Sequence, residues 1–479
     1  MQIPEQLLQS LEGIKGFDRN GFIKIHSCNE QVTSVRYNPL KLTIDNFQLS
    51  IAAPLLTPDS GLQTPNSPFT IHDKIPWSTH GYYLLQRPSF TFDPLFHAGL
   101  YYVQEASSMF LEQVLRQTAD ISKPLRVLDL CAAPGGKSTL IQSLISKDSL
   151  LVSNEVIKSR VGVLEENIVK WGAENVVVTN NDPSSYAKLE NYFDIIVIDA
   201  PCSGSGLFRR DPEAISEWSE SNVQLCSQRQ QRIIADTWPA LKEDGILIYS
   251  TCSYSREEDE EILDWMMEGF RVEGVRCRVE EEWNIVETTS SGGDVFGYRF
   301  YPDKLKGEGF FIAALRKKEG SAFNGIKPGK NRIEKISKSE EALVTHWLQE
   351  RQDMIFFKQQ DDIIALPSCF QNDIPVLQSA LYIKKAGIRI GKLAGKDLIP
   401  DQQLALSNII STNIVSVPLN REQAIQYLRK EEVQVSTDHK GWALVSYEGH
   451  SLGWIKMLPN RINNYYPKEW RILKRAENR

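Results

Sequence analysis

Asp129-Leu130-Cys131-Ala132-Ala133-Pro134-Gly135-Gly136-Lys137-Ser138, entered from Arg126-Val127-Leu128, is the stretch on which the fold turns. A short apolar run ends on an acid and the chain turns through small residues. Leu140, Ile141, Leu144 and Ile145 then recur at helical spacing, so the reading is strand, tight turn, helix. Small residues let backbone amides come close to a ligand at a helix N-terminus, which makes this a nucleotide-type site. Two common loops fit poorly. A phosphate loop needs Gly five positions before Gly136, where Cys131 stands, and the three spaced glycines of a dinucleotide loop are absent.

Outward from there the same unit recurs as far as Cys252. Leu150-Leu151-Val152 precedes Glu155, Val176-Val177-Val178 precedes Asp182, Phe193 to Ile198 precedes Asp199, and Ile246-Leu247-Ile248-Tyr249 precedes Cys252. Such runs read as strands buried on both faces, and their alternation with helix-like segments predicts a parallel α/β sheet. Ligands of open parallel sheets bind at the carboxyl ends of the strands, so Asp129, Glu155, Asp182, Asp199 and Cys252 are expected to converge on one cleft. Glu155 is placed to accept from ribose hydroxyls and Asp182 from an adenine amino group.

Asp199-Ala200-Pro201-Cys202-Ser203-Gly204-Ser205-Gly206 and Ser250-Thr251-Cys252-Ser253 put two thiols at neighbouring strand ends beside a carboxylate. A cysteine taken singly is most often a small buried hydrophobe. That reading suits Cys28, Cys226, Cys277 and Cys369, with Cys131 packed beside the glycine turn. Two at strand ends suit a specific chemistry. Cytosine C5 is a poor nucleophile until something adds to C6, and a thiolate is suited to that addition. A carboxylic acid with a raised pKa in a dry pocket would donate to N3 and stabilise the developing charge, and Asp199 is placed for that. The residues alone do not order the two thiols.

Length and composition bound the rest. The 479 residues exceed a single core and suggest about three domains. With 41 % apolar and 24 % charged residues, an ordinary globular protein is expected. The N-terminus lacks a secretory pattern and no apolar stretch is long enough to span a bilayer, so the expectation is a cytoplasmic protein without a membrane segment. Seven scattered cysteines form neither a disulfide framework nor a zinc knuckle, and no metal is expected. A net charge of −7 argues against bulk coating of nucleic acid but not against a local basic surface. Monomer is the default.

After Cys252, Ser255 with Glu258 three positions on has the form of a capping box, and Glu257 to Glu261 read as capping and solvated face. From Arg316 to Glu340 eight Lys or Arg stand against three acids with few large apolar residues, the composition of a linker. Beyond it, 341 to 350 and 421 to 430 are predicted helices, and 442 to 455 is strand-like.

These motifs resemble the Sun-type family of RNA cytosine-C5 methyltransferases. Asp129 to Lys137 is similar to its cofactor loop, Asp199-Ala200-Pro201-Cys202 to its first cysteine motif, and Ser250-Thr251-Cys252-Ser253 to its second. Gly99 to Met109, Arg209-Arg210-Asp211-Pro212, Arg299-Phe300-Tyr301-Pro302 and Gly307-Glu308-Gly309-Phe310-Phe311 agree as well. The resemblance implies a Rossmann-like class I methyltransferase sheet with S-adenosylmethionine held by Cys131, Ala132, Ala133, Pro134, Gly135, Gly136, Lys137, Glu155, Asp182 and Asp199. It also implies that Asp199 faces the target base, that Cys252 attacks C6 and that Cys202 assists release. DNA cytosine methyltransferases attack with a Pro-Cys thiol, so the rival order makes Cys202 the nucleophile. Two positions depart from the family: Asp259 stands where Asn is frequent, and Pro39 interrupts the Arg-x-Asn-x-Leu-Lys element at Arg36 to Lys41.

The order of parts resembles the bacterial subgroup that modifies small-subunit ribosomal RNA. It implies an N-terminal α+β RNA-binding unit over 1–100, a methyltransferase domain over 101–316, a basic linker over 317–340 and a C-terminal α+β region over 341–479 ending in a PUA-like module. Lys384, Lys385, Arg389 and Lys392 lie in an acid-free stretch, and Arg461, Lys468 and Arg471 lie in a second basic cluster interleaved with Tyr465, Tyr466 and Trp470. Phosphate contact and stacking on unpaired RNA are expected of these, against a packing role for the aromatics. Transfer RNA as substrate, or a non-catalytic ribosome-assembly factor, are the alternatives. A DNA methyltransferase would need groove-reading specificity loops, and no segment suggests them.

Overall fold

Continuous apolar runs build the centre of the molecule. The computed structural model describes residues 3–28, 30–42, 71–320, 334–349, 353–435 and 437–474. Four strands come first: β1 (Thr33–Tyr37), β2 (Ile71–Lys74), β3 (Gly81–Leu84) and β4 (Tyr101–Val103), an antiparallel sheet in the order β2-β3-β1-β4. β4 carries this sheet past residue 100. The helices Glu5–Ser10 and Arg19–Ser27 pack elsewhere, with Leu7 and Phe22 against Trp218, Tyr254 and Tyr301.

The predicted sheet follows. β5 (Arg126–Asp129), β6 (Leu150–Asn154), β7 (Val176–Thr179), β8 (Phe193–Asp199) and β9 (Leu241–Thr251) run parallel in the order β7-β6-β5-β8-β9. Successive side chains alternate between two apolar layers. Leu128, Val152, Ile196 and Leu247 enter one, while Val127, Leu151, Ile195 and Ile246 enter the other. The chain steps outward from β5 to β7 and then crosses back to β8, so the crevice lies beyond the ends of β5 and β8. β10 (Val272–Gly274), β11 (Val286–Thr289), β12 (Phe296–Phe300) and β13 (Phe310–Lys317) complete the far side, with β13 antiparallel to β9.

Beyond residue 333 come β14 (Glu334–Lys335), β15 (Met354–Gln359), β16 (Asp362–Pro367), β17 (Ile383–Ala386), β18 (Ile388–Ala394) and β19 (Asp397–Pro400). Five of them form a sheet in the order β14-β15-β16-β18-β19, whereas β17 pairs antiparallel with β7 and adds a strand to the catalytic sheet. Arg126 at the start of β5 meets Asp373 through two hydrogen bonds of 2.6 and 2.8 Å, which ties the same region down a second time. A last sheet joins β20 (Ser416–Pro418), β21 (Gly441–Tyr447), β22 (His450–Leu458) and β23 (Arg461–Asn464). The helix predicted over 421–430 is present as Arg421–Leu428, whereas the one predicted over 341–350 lies earlier, over Lys338–Thr345, because Ser337 and Glu340 form a capping box that starts it there. Of the linker expected over 317–340, Lys317 belongs to β13 and Glu334–Lys335 to β14, and residues 321–333 lie outside the described residues. Among the described residues no helix is long and apolar enough to cross a membrane, and no group of three or more His, Cys, Asp or Glu could hold a metal ion.

The acidic run after Cys252 departs from its reading as cap and solvated face. The helix begins at Glu260, the Ser255 side chain makes no capping bond, and Glu258, Asp259 and Glu260 are buried. For Asp259 and Glu260 the cause is a cation far off in sequence: Arg299 of β12 donates from Nε to Glu260 at 2.7 Å and lies 3.1 Å from Asp259, and such pairing offsets the cost of burying a carboxylate. Arg299→Ala leaves two buried acids with no cation. It is expected to lower the unfolding free energy by about 3–5 kcal/mol, measured by urea denaturation, and a loss under roughly 1 kcal/mol would count against the pairing.

Candidate active site

At the end of β5, Asp129 is fully buried and accepts from Ser138 Oγ at 2.6 Å. Burial, together with the charges of Asp199 and Glu155, pushes its carboxyl up to about 7. Cys131 follows on the turn, and burial raises its thiol well above the usual range. Ala132 donates its N–H to the Asn154 carbonyl at 2.7 Å. The carbonyls of Ala133 and Pro134 accept from Arg160 and Asn167 at 2.6 and 2.8 Å, which ties the turn to the helix Lys158–Trp171. Gly135 has φ +114°, a conformation that other residues adopt only under strain, so glycine is favoured there. Gly136 opens the helix Gly136–Leu144, and its carbonyl accepts from the buried Arg36.

The acids do not all share one setting. Glu155, buried after β6, accepts from the Ile157 N–H at 2.8 Å and has Arg160 3.4 Å away. Asp182 instead caps the turn Pro183–Lys188, accepting from the Ser184 N–H and hydroxyl at 3.1 and 2.7 Å, and is half-exposed with Arg232 at 3.9 Å. It stands at the rim of the cleft rather than among the converging groups.

Asp199 ends β8. Its carboxylate meets Lys137 Nζ at 2.7 Å and accepts from Ser250 Oγ of β9 at 2.9 Å. Lys137 also lies 5.1 Å from the centre of the Phe310 ring. The dry pocket expected around Asp199 is not found, because the side chain is 36 % exposed and carries a cation. The two predicted thiols do meet, with Cys202 and Cys252 Sγ 2.9 Å apart in hydrogen-bond contact. Their turns interlock at Gly206, whose N–H donates to the Cys252 carbonyl at 2.8 Å and whose carbonyl accepts from the Gly309 N–H at 3.3 Å. A Cβ on Gly206 would fall 2.5 Å from the Gly309 oxygen, so the three motifs close on one another only through glycine.

Sequence reasoning missed the supports of this pair. Glu258, read as a cap, binds Ser203, Ser253 and Gln230, and Arg209 forms a buried ion pair with Glu308 at 3.4 Å. Little local signal marks Glu258 as inward-facing, since only Ser253 is near it in the chain and its other partners, Ser203 and Gln230, lie on two distant segments. The basic tail residues scatter. Lys385 is a correction: its ammonium is buried on the Gly387 carbonyl, burial lowers its pKa to about 8, and it cannot reach phosphate. Arg389 lies 3.5 and 3.9 Å from Asp362 and Asp401, Lys384 is 3.7 Å from Glu165, and Lys392 is 3.7 Å from Asp361. Arg461, Lys468 and Arg471 are exposed. Tyr466 is buried against Tyr427 and Trp470, the packing role, while Tyr465 is exposed. Arg475 of this cluster lies outside the described residues.

A nucleoside cofactor fits this cleft. Gly135 takes a φ of +114° that presents bare backbone at the turn, and the buried Asp129 Oδ1 has no hydrogen-bond partner among the described residues. Sheet, glycine turn and strand-end acids together define an S-adenosylmethionine-dependent RNA methyltransferase. Residues 117–316 match the family model "16S rRNA methyltransferase RsmB/F", 3–106 match "N-terminal domain of 16S rRNA methyltransferase RsmF" and 415–472 match "Methyltransferase RsmF PUA domain". The chain belongs to the RsmB/F family of methyltransferases. Ribosomal RNA small subunit methyltransferase F of Psychromonas ingrahamii is 30 % identical over 459 residues, covering 91 % of this chain and 90 % of that protein. Its namesake in Shewanella loihica is 29 % identical over 453 residues, covering 91 % and 88 %. A solved methyltransferase homologue from Pyrococcus horikoshii is 26 % identical with a TM-score of 0.51, covering 66 % of this chain and all of its own. NSun6 from Pyrococcus horikoshii, solved with SFG, shares the fold at 22 % identity and a TM-score of 0.51, covering 66 % of this chain and 98 % of that one.

Proposed function

We propose that this enzyme methylates C5 of a cytosine in 16S rRNA through a covalent bond between Cys252 and C6. The observation that carries the reading is the pair of sulfurs 2.9 Å apart, on the turns that follow Asp199 and β9. S-adenosylmethionine, when bound, supplies an electrophilic methyl group. Residues 131–137 and Asp199 would hold it, with Glu155 accepting from ribose hydroxyls and Asp182 from the adenine amino group at the rim.

The Cys252 thiolate adds to C6, forming a sulfur–carbon bond and displacing the C5–C6 π pair into the ring. Asp199 delivers a proton to N3, with the Lys137 ammonium 2.7 Å away as its reservoir. The resulting enamine carbon C5 takes the methyl group. Cys202, whose proton is less firmly held once Cys252 is no longer anionic, gives that proton to solvent and takes the one on C5. The C5–C6 double bond re-forms, the C6–sulfur bond breaks to free Cys252 as the thiolate, and the N3 proton returns through Asp199 to Lys137.

The exposed cations Lys384, Lys392, Arg461, Lys468 and Arg471 are proposed phosphate contacts, whose binding weakens with salt. The division into an N-terminal unit, a catalytic domain and a C-terminal region, a monomeric state and a cytoplasmic location belong to the same reading. Incubation with S-adenosylmethionine and 16S rRNA, naked or in small subunits, followed by mapping of 5-methylcytosine, tests it. Modification of one 16S rRNA cytosine is the expected result. Modification of transfer RNA alone would move the substrate, and no product with any of these RNAs would leave an RNA-binding assembly factor.

A further inference from the structure

Glu258 is fully buried between the two cysteine turns. Its Oε1 accepts from the Ser203 N–H at 2.8 Å and from Gln230 Nε2 at 3.0 Å, and its Oε2 accepts from the Ser203 hydroxyl and, at 2.6 Å, the Ser253 hydroxyl. Ser203 directly follows Cys202 and Ser253 directly follows Cys252, so one carboxylate grips both turns. Burial pushes the Glu258 carboxyl above the usual range, and four donors converging on its two oxygens work against that shift in favour of the ionised form, which only accepts.

We infer that Glu258 is a positioning residue for the reaction: it fixes the two turns against one another and, with two of its four hydrogen bonds on Ser203 beside Cys202 and one on Ser253 beside Cys252, keeps the shared proton on Cys202 and the anionic sulfur at Cys252. This deepens the reading of Cys252 as the nucleophile and rests on it.

The surroundings agree. The Cys202 thiol is held well above the ordinary range by its hydrogen bond with Cys252, by burial, and by the charges of Cys252 and Glu258. On the helix Glu220–Thr237, Cys226 is raised by burial and by Glu258. Tyr249 of β9 donates to the Gln230 Oε1 and to the Glu258 carbonyl at 2.9 and 2.7 Å. Asp259 accepts from Thr251 at 2.7 Å. The nearby cations act on other groups, Arg229 on Cys226 and Arg299 on Asp259 and Glu260. Nothing cationic among these groups bonds the Glu258 carboxylate, so its charge falls on the thiols.

Glu258→Gln keeps size and shape and removes the charge, and the serine hydroxyls can reverse to accept from the new amide. The test alkylates the full chain with iodoacetamide, without RNA or S-adenosylmethionine, across roughly pH 6 to 10, the range in which thiols titrate. Peptide mass spectrometry reads the rate at each cysteine, and thermal melting checks the fold. In the unsubstituted protein Cys252 is expected to be alkylated faster than Cys202. In Glu258→Gln the Cys202 rate is expected to rise by about threefold or more at each pH, narrowing the gap to Cys252. An unchanged Cys202 rate overturns the inference. Should Glu258→Gln melt early, Glu258→Asp separates charge from framework. Retention of the original ratio of the two rates supports the inference, and a change equal to that of Glu258→Gln overturns it. Because alkylation needs no RNA, this outcome is distinct from whether Cys252 forms the RNA adduct.

Discussion

Cys202→Ala is expected to accumulate a covalent protein–RNA adduct, whereas Cys252→Ala forms none. The sulfurs are close enough for either to reach one base, so position alone does not assign them. The proposed order follows from protonation: the hydrogen bond to Cys252, burial and the charge of nearby Glu258 favour the neutral form of Cys202, which makes Cys252 the proposed nucleophile. Once C5 carries both hydrogen and methyl, the enzyme is released only when a base takes that hydrogen. Loss of general-base help costs about 10²- to 10⁴-fold, enough to hold the adduct through denaturing electrophoresis of protein with labelled RNA and S-adenosylmethionine. The reverse pattern, with adduct in Cys252→Ala and none in Cys202→Ala, would exchange the two roles.

Asp199→Asn should slow methylation by roughly 10²- to 10⁴-fold while leaving the fold intact. The amide can still accept from Ser250, but it cannot pass a proton from Lys137 to the base. It also loses the ion pair at 2.7 Å. Single-turnover methylation separates this chemical defect from weaker binding of S-adenosylmethionine, which equilibrium dialysis measures. Turnover within about threefold of the unsubstituted enzyme would remove Asp199 from the proton path.

The catalytic sheet was legible because strands buried on both faces need unbroken apolar runs, and β5, β6, β7 and β8 have them. Cys202, Cys252 and Asp199 could be read together because strand ends of a parallel sheet share one crevice. The acids after Cys252 were illegible for the opposite reason. A carboxylate looks solvated until its cation is known, and Arg299 stands about forty positions away on β12. Lys385 misled in the same manner. Its charge suggested phosphate, but the pairing of β17 with β7 turns it inward, and no local pattern announces a strand added from so far along the chain. Asp182 was correctly placed after a strand, yet Ser184 two residues on draws it into a cap.

The pairing of β17 with β7 makes the C-terminal region part of the enzyme's chassis rather than a trailer. β7 leads to Asn180 and Asn181, which bond the Tyr382 backbone at 3.3, 3.0 and 2.8 Å, immediately before Asp182. The exposed flank of a parallel sheet is thereby sealed against stray strands. With the Arg126–Asp373 pair as a second rivet, a chain severed between Gly320 and Glu334 would still hold its halves together. Whatever pulls on the tail pulls on the lip of the cofactor cleft.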